Sequence, residues 1–152
     1  MSQHRATVAW HAGNGNFRDG SYSRAHTWAF DGGLTVPASP SPQVVRPPQS
    51  DPSAVDPEEA FVAAISSCHL LTFLYLAQRR GLEVESYVDE AVGVMTKNER
   101  RVPWVSRVEL RPRVTFVGQP PDDELLAELH HQAHELCFIS NSVKTEIVVC
   151  TP

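Results

Sequence analysis

The chain has 152 residues, 41% of them apolar and 20% charged, with a net charge of −5. That length suits one domain with a core that needs no disulfide staples, and the acidic balance, without a run of Lys or Arg, argues against nucleic acid or an anionic membrane as partner. Three cysteines are too few for a secreted disulfide framework, Met1-Ser-Gln-His-Arg5 lacks the apolar stretch of a signal peptide, and no window is expected to approach the ~18 apolar residues of a membrane span, so the expectation is a soluble cytoplasmic protein in a reducing compartment, where paired cysteines are more often catalytic than structural.

Residues 5–36 read as strands. Ala6–Trp10 alternates, Gly13–Asn16 is a turn cluster, Ser23–Phe30 resumes the pattern and Asp31-Gly-Gly33 punctuates it again. Two strands around Gly/Asn-rich turns predict an antiparallel meander. Residues 37–57 hold seven of the twelve prolines, which excludes regular helix and central strand. Such a long irregular stretch is either a functional loop or a surface connector.

Asp56 then caps a helix predicted over 57–80. Pro57 takes the first helical position and Glu59 completes a capping box. Arg79 and Arg80 suit the negative end of the helix dipole, and Gly81 stops the helix. From Ala60 to Ala77 it is apolar on nearly every face, so protein must wrap it. One sheet can hardly cover it in so short a chain, and a partner subunit is expected over the rest.

Residues 83–95 and 105–117 read as strands, with a turn at Asn98–Pro103. Pro120-Pro-Asp-Asp-Glu124 opens a last helix, capped by Asp122 or Asp123, with Leu125, Leu126, Leu129, Ala133 and Leu136 on its apolar stripe. Thr145–Cys150 is a closing strand. The order β-β, long helix, β-β, helix, β predicts a single α+β domain over 1–152 with antiparallel sheet.

Two cysteines stand out. Cys68 lies inside the long apolar helix, and Cys137 at the end of the last one. A thiol on a buried helix and a second at a distant helix end suggest a redox pair, one to attack a peroxide and one to resolve it. Ser66, Ser67 and His69 surround Cys68 with polar atoms that must find partners if buried. A buried thiol is a poor nucleophile, so a reactive Cys68 needs a cation. His69 points ~100° away around the helix, which leaves Arg18, Arg24 and Arg46 as candidates. His130, His131 and His134 precede Cys137, and a zinc site from these residues is an alternative, although the spacing is not specific and the glutamate of zinc proteases is absent. Cys150 is assigned no role.

Asp56-Pro-Glu-Glu-Ala-Phe-Val-Ala-Ala-Ile-Ser-Ser-Cys-His69 resembles the Pro-Glu…Cys helix of the OsmC/Ohr family, the osmotically inducible and organic-hydroperoxide-resistance proteins. Ala133-His-Glu-Leu-Cys-Phe-Ile-Ser140 resembles that family's second motif, Ala-His-x-x-Cys-Pro-x-Ser, with Phe138 in place of the proline. The resemblance covers nearly the whole chain. It implies an intertwined homodimer of the OsmC-like fold acting as an antioxidant, thiol-dependent peroxidase in the stress response. Cys68 would be the peroxidatic cysteine and Cys137 the resolving one. Glu58 would pair with a catalytic arginine, for which Arg24 is preferred to Arg46. No cofactor is implied. The reductant would be an external dithiol of lipoyl type, such as a lipoylated protein, and the substrate a small-molecule or lipid hydroperoxide. Phe61, Leu71, Phe73 and Phe138 are candidates for an apolar substrate pocket, with Leu71 and Phe73 read rather as core.

Glu58 and Cys68 are ten residues apart, which on a straight helix is ~15 Å of rise. If both serve one site, two such helices cross at a dimer interface and each subunit supplies Glu and Arg to the other's thiol. A non-catalytic dimeric binding module of the same fold is a further alternative, left open by Phe138.

Overall fold

In the computed structural model, which describes residues 1–13 and 15–150, the element order is β1 (Ala6–Ala9), β2 (His26–Phe30), β3 (Thr35–Ala38), α1 (Pro57–Arg79), β4 (Val84–Asp89), β5 (Val92–Lys97), β6 (Pro103–Leu110), β7 (Pro112–Phe116), α2 (Asp123–Leu136), a 3-10 turn (Ser140–Ser142) and β8 (Glu146–Val149). The fold is α+β with two long helices. The chain packs into two compact units, Met1–Ala60 and Phe61–Pro152.

The first unit is built on the antiparallel meander β1-β2-β3. It has three strands where the sequence predicted two. The third was hidden by Pro37, which faces Thr27 across the ladder. β3 is an edge strand, where a missing N–H costs least. Beyond it the proline-rich segment is held by local bonds. Ser39 is buried, its N–H donates to the Val55 carbonyl at 3.0 Å, and its Oγ accepts the Asp51 N–H at 2.7 Å. The segment ends in the expected capping box: the Glu59 N–H donates to Asp56 Oδ1 at 2.7 Å, and the Asp56 N–H to Glu59 Oε2 at 3.2 Å.

In the second unit each predicted strand proves to be two. Residues 83–95 divide into β4 and β5, and 105–117 into β6 and β7, because the chain passes between two sheets at Glu90-Ala91 and again at Arg111. The crossings are tied together by the Arg111 N–H on Asp89 Oδ1 at 2.6 Å. β4 pairs with β7, and β5-β6-β8 form the other sheet. The β6–β8 pairing is parallel, a correction to the all-antiparallel expectation. β8 follows α2, and the helix carries the chain back to the same end of the sheet.

The body of α1 joins two cores. Ile65 packs with Val108 and Leu110 of β6, against Val62, Ile147 and Val149. Phe73 and Ala77 pack with Leu129 and Ala133 of α2, against Tyr87, Val114 and Phe116. Gly93 lets β5 approach α1, since a Cβ there would stand 2.6 Å from Val62 Cγ2. The helix ends at Gly81, whose φ of +73° is the left-handed stop the sequence predicted. Asp122, one of the two candidate caps, accepts the Leu125 N–H of α2 at 2.8 Å.

α1 is 23 residues long with a mean hydropathy of 1.8 over an 18-residue window. By length and composition it could cross a membrane, which corrects the expectation that no segment approaches that limit. Its buried positions, Ile65, His69, Phe73 and Ala77, form one stripe at intervals of four. On the other side Leu71 (64% exposed), Leu74 (36%) and Tyr75 (59%) lie open.

Candidate functional site

α1 and α2 meet along a seam with polar contacts on it. At one end Arg80 pairs with Glu128 at 2.7 Å. In the middle His69 Nε2 and His130 Nδ1 are 3.1 Å apart in nearly coplanar rings, 6° between planes. The His130 ring also stacks on Phe73, with centroids 4.5 Å apart. At the other end Cys68 of α1 meets Cys137, the C-cap of α2.

Both are free cysteines, and the Cys137 side chain lies close enough to perturb the Cys68 thiol. Cys137 is fully buried and Cys68 half-buried. The chain leaving α2 supplies main-chain donors: the Ile139 N–H points at Cys68 Sγ, 3.5 Å away, and the Ser140 N–H at Cys137 Sγ, 3.4 Å away. Burial pushes the Cys68 thiol pKa up, and the contact with Cys137 adds to this, while the N–H groups of Ile139 and Phe138 pull it down. Two neighbouring thiols result, one half-buried and the other enclosed.

Of the polar side chains around Cys68, Ser66 and His69 Nε2 find partners, Ser67 is exposed, and buried His69 Nδ1 has no partner among the described residues. Ser66 Oγ donates to Asp89 Oδ2 at 2.5 Å. His69 turns away from the thiol, as its place on the helix requires, and goes to His130. Burial drives both imidazole pKa values down to about 4, with His130 and His134 adding to the effect at His69 and Asp89 opposing it at His130. Both rings are therefore neutral at pH 7, and neither offers the thiol a cation. His131 is exposed and His134 half-buried. Among the described residues no group of three or more His, Cys, Asp or Glu could hold a metal ion.

The remaining candidates belong to the first unit. Arg24 is exposed in the irregular segment before β2, where its N–H donates to the Gln49 carbonyl at 2.9 Å and its guanidinium lies 5.6 Å from the Tyr22 ring centre. It borders a cleft of about 270 Å³ lined by Val8, Trp10, Phe17, Tyr22 and His26. Arg18 and Arg46 are exposed in loops, and Glu58 is half-buried in the first turn of α1. Of the candidate pocket residues, Phe73 is core as expected, Phe61 packs against the Ile65 core, and Phe138 is 83% exposed. Leu71, expected in the core, faces outward.

Three features of the seam escaped the sequence reading. The His69–His130 contact spans 61 residues, and no local pattern announces it. Asp89 lies at a strand end and reads as a turn residue. The donors at Ile139 and Ser140 are main-chain groups, which every residue type but proline carries.

The sequence matches the family described as OsmC-like protein over residues 50–151. An OsmC-like protein of unknown function from Vibrio cholerae is 51% identical, with a TM-score of 0.97 and 100% of both chains covered. The organic hydroperoxide resistance protein OhrB of Bacillus subtilis shares the fold at 19% identity and a TM-score of 0.72, covering 99% of this chain and 98% of its own. An organic hydroperoxide resistance protein from Elizabethkingia anophelis, crystallised with thiocyanate, does so at 18% identity and 0.73, covering 99% and 94%. No curated protein matches the chain. A match over two thirds of the sequence, together with the half-identical relative, shows that this chain belongs to the OsmC-like family.

Proposed function

We propose that the protein is a thiol-dependent peroxidase that reduces organic hydroperoxides to alcohols. The observation that carries this reading is the contact of Cys68, half-open to solvent, with the enclosed thiol of Cys137. The two organic hydroperoxide resistance proteins of the same fold support it.

The Cys68 thiolate attacks the terminal oxygen of ROOH. The O–O bond breaks, RO⁻ leaves and takes a proton to become the alcohol, and the sulfur is oxidised by two electrons to a sulfenic acid. The Cys137 thiol then attacks that sulfur, water leaves, and a Cys68–Cys137 disulfide forms. An external dithiol of lipoyl type restores both thiols by exchange and is itself oxidised to a disulfide. No bound cofactor takes part.

Burial raises the Cys68 pKa, so the thiolate needs a cation. Arg24 paired with Glu58 is the proposed source. Ten helical residues rise ~15 Å, so Glu58 would serve the thiol of a second copy. The exposed apolar side chains of α1, Leu71, Leu74 and Tyr75, support a homodimer in which that face is covered. A reducing, cytoplasmic setting fits a cycle that consumes dithiols.

The raised Cys68 pKa favours a second reading, a binding module with an inert thiol pair. Turnover of cumene hydroperoxide with dihydrolipoamide separates the two. The peroxidase reading predicts multiple turnover by the native chain, none by Cys68→Ser, and a single turnover by Cys137→Ser, which stalls with a sulfenic acid on Cys68. Turnover by Cys68→Ser at the native rate would contradict it, and inertness of the native chain would favour the binding module.

A further inference from the structure

The turn after α2 carries two consecutive main-chain donors, each on a different sulfur. The Ile139 N–H donates to Cys68 Sγ at 3.5 Å, and the Ser140 N–H to Cys137 Sγ at 3.4 Å. The turn therefore bridges the thiol of α1 and the thiol at the end of α2. Its carbonyls are tied elsewhere. Asn141 Nδ2 donates to the carbonyls of Glu135 and Cys137, both at 2.9 Å, and the Asn141 N–H donates to Cys137 O at 3.1 Å. Ser142 Oγ donates to the Phe138 carbonyl at 2.7 Å, and the Ser142 N–H to the Ile139 carbonyl at 3.0 Å. The last carbonyls of a helix have no partner within it. Here the Asn141 side chain joins that end of α2 to the turn. Its bonds all go to main-chain carbonyls and none to a sulfur.

We propose that Asn141 is a positioning residue for disulfide formation: its side chain fixes the turn so that the Ile139 and Ser140 N–H groups hold the Cys68 and Cys137 sulfurs side by side. This deepens the proposed peroxidase and rests on that reading for its place in the cycle. The step it serves is the attack of Cys137 on the oxidised Cys68 sulfur. The Cys137 thiol loses its proton and the S–S bond forms. The group carried by Cys68 leaves with the electron pair of its bond to sulfur; in the peroxidase cycle that group is hydroxide, which takes up the proton and departs as water. Such an attack depends on where the two sulfurs sit, and a misplacement of about 1 Å can cost about 10²-fold in rate. One donor on each sulfur, both from one braced turn, restricts that placement.

The test places Asn141→Ala in a Cys150→Ser chain and adds the aromatic disulfide dithiobis(nitrobenzoate). Cys68 attacks it and releases one thionitrobenzoate. Cys137 then attacks the mixed disulfide on Cys68 and releases a second, with its own proton passing to solvent. The second release should be about tenfold slower in Asn141→Ala. Amide hydrogen exchange reads the cause. The Ile139 and Ser140 amides should exchange about tenfold faster in the variant, while that of Ala133, in the body of α2, keeps its native rate. Asn141 is exposed, so the substitution opens no core. A native rate of second release would overturn the proposal. So would a slow release with unchanged exchange at Ile139 and Ser140, or with equally faster exchange at Ala133. If Asn141→Ala does not fold, the isosteric Asn141→Asp, whose carboxylate cannot donate to either carbonyl, is read in the same way. If neither folds, exchange in the native chain decides: protection of the Ile139 and Ser140 amides would uphold the placement, and free exchange would overturn it. Neither readout needs peroxide. A slowed second release in Asn141→Ala of a protein that reduces no hydroperoxide would uphold the positioning role and overturn the peroxidase reading.

Discussion

Cys68 and His69 are sequence neighbours that both reach α2, and their contacts differ in kind. His69 lies on the buried stripe of α1 with Ile65, Phe73 and Ala77. It meets His130 where no water competes, and both rings are held neutral. Cys68, one residue earlier, is turned ~100° to the edge of that stripe. It meets Cys137 while half-buried, with the Ile139 main-chain N–H on the sulfur. One step along the helix separates a fully buried contact from a half-buried one. The imidazole beside the thiol is therefore no source of charge for it, and stabilisation of a thiolate must come from main-chain donors and, in the proposed enzyme, an arginine.

The contrast can be broken at either pair. Cys68→Ser should remove all peroxidase turnover, since a hydroxyl is a far weaker nucleophile at neutral pH, while urea unfolding stays within about 1 kcal/mol of the native chain, as suits a nearly isosteric, half-open site. A large loss of stability would put this thiol in the same structural class as the imidazoles.

His130→Ala should do the reverse. It deletes a ring stacked on Phe73 and leaves His69 Nε2 without its bond, a loss of about 3 kcal/mol in urea unfolding. A neutral outcome would mean that the histidine pair does not fix the seam.

Acid acts on the same pair. An exposed imidazole has its pKa near 6.5, and these two sit at about 4 in the folded chain. Above pH 6.5 they are neutral whether the chain is folded or not, and their contribution is constant. Between pH 6.5 and 4 the unfolded chain binds protons that the folded chain refuses, so stability falls as the pH drops. For the fully buried His69 the loss is on the order of 3 kcal/mol. Urea unfolding across that window should show the decline, and it should be shallower in His130→Ala. An equally steep decline in that variant would assign the acid sensitivity to other groups.

The smallest effect belongs to Ser66→Ala, at about 1 kcal/mol. Asp89 keeps its bond from the Arg111 N–H, so its carboxylate is not stranded. A loss above about 3 kcal/mol would show that Ser66–Asp89 is as structural as the histidine pair.

The elements whose signals are local were legible in the sequence. Asp56 with Glu59, Asp122, and Gly81 announced the helix ends, and each has the predicted geometry. Partner choice among strands was not legible. Alternation marks a strand but not its sheet, so the divisions at Glu90-Ala91 and Arg111 and the parallel β6–β8 pairing went unread. Pro37 hid β3, because a proline excludes a central strand but not an edge. At the site, the cysteines were visible through two motifs. The partners of Ser66 and His69 were not, since they lie 23 and 61 residues away. The donors at Ile139 and Ser140 were invisible for a different reason, because the main chain leaves no mark in residue type.

The central claim is that Cys68 and Cys137 form one redox unit, and mass spectrometry of the reduced chain after one equivalent of cumene hydroperoxide tests it most directly. The account predicts loss of two hydrogens, with a non-reducing digest joining the Cys68 and Cys137 peptides through a disulfide while Cys150 stays free. A chain that keeps both thiols after the peroxide is added, or that forms its disulfide through Cys150, would contradict it.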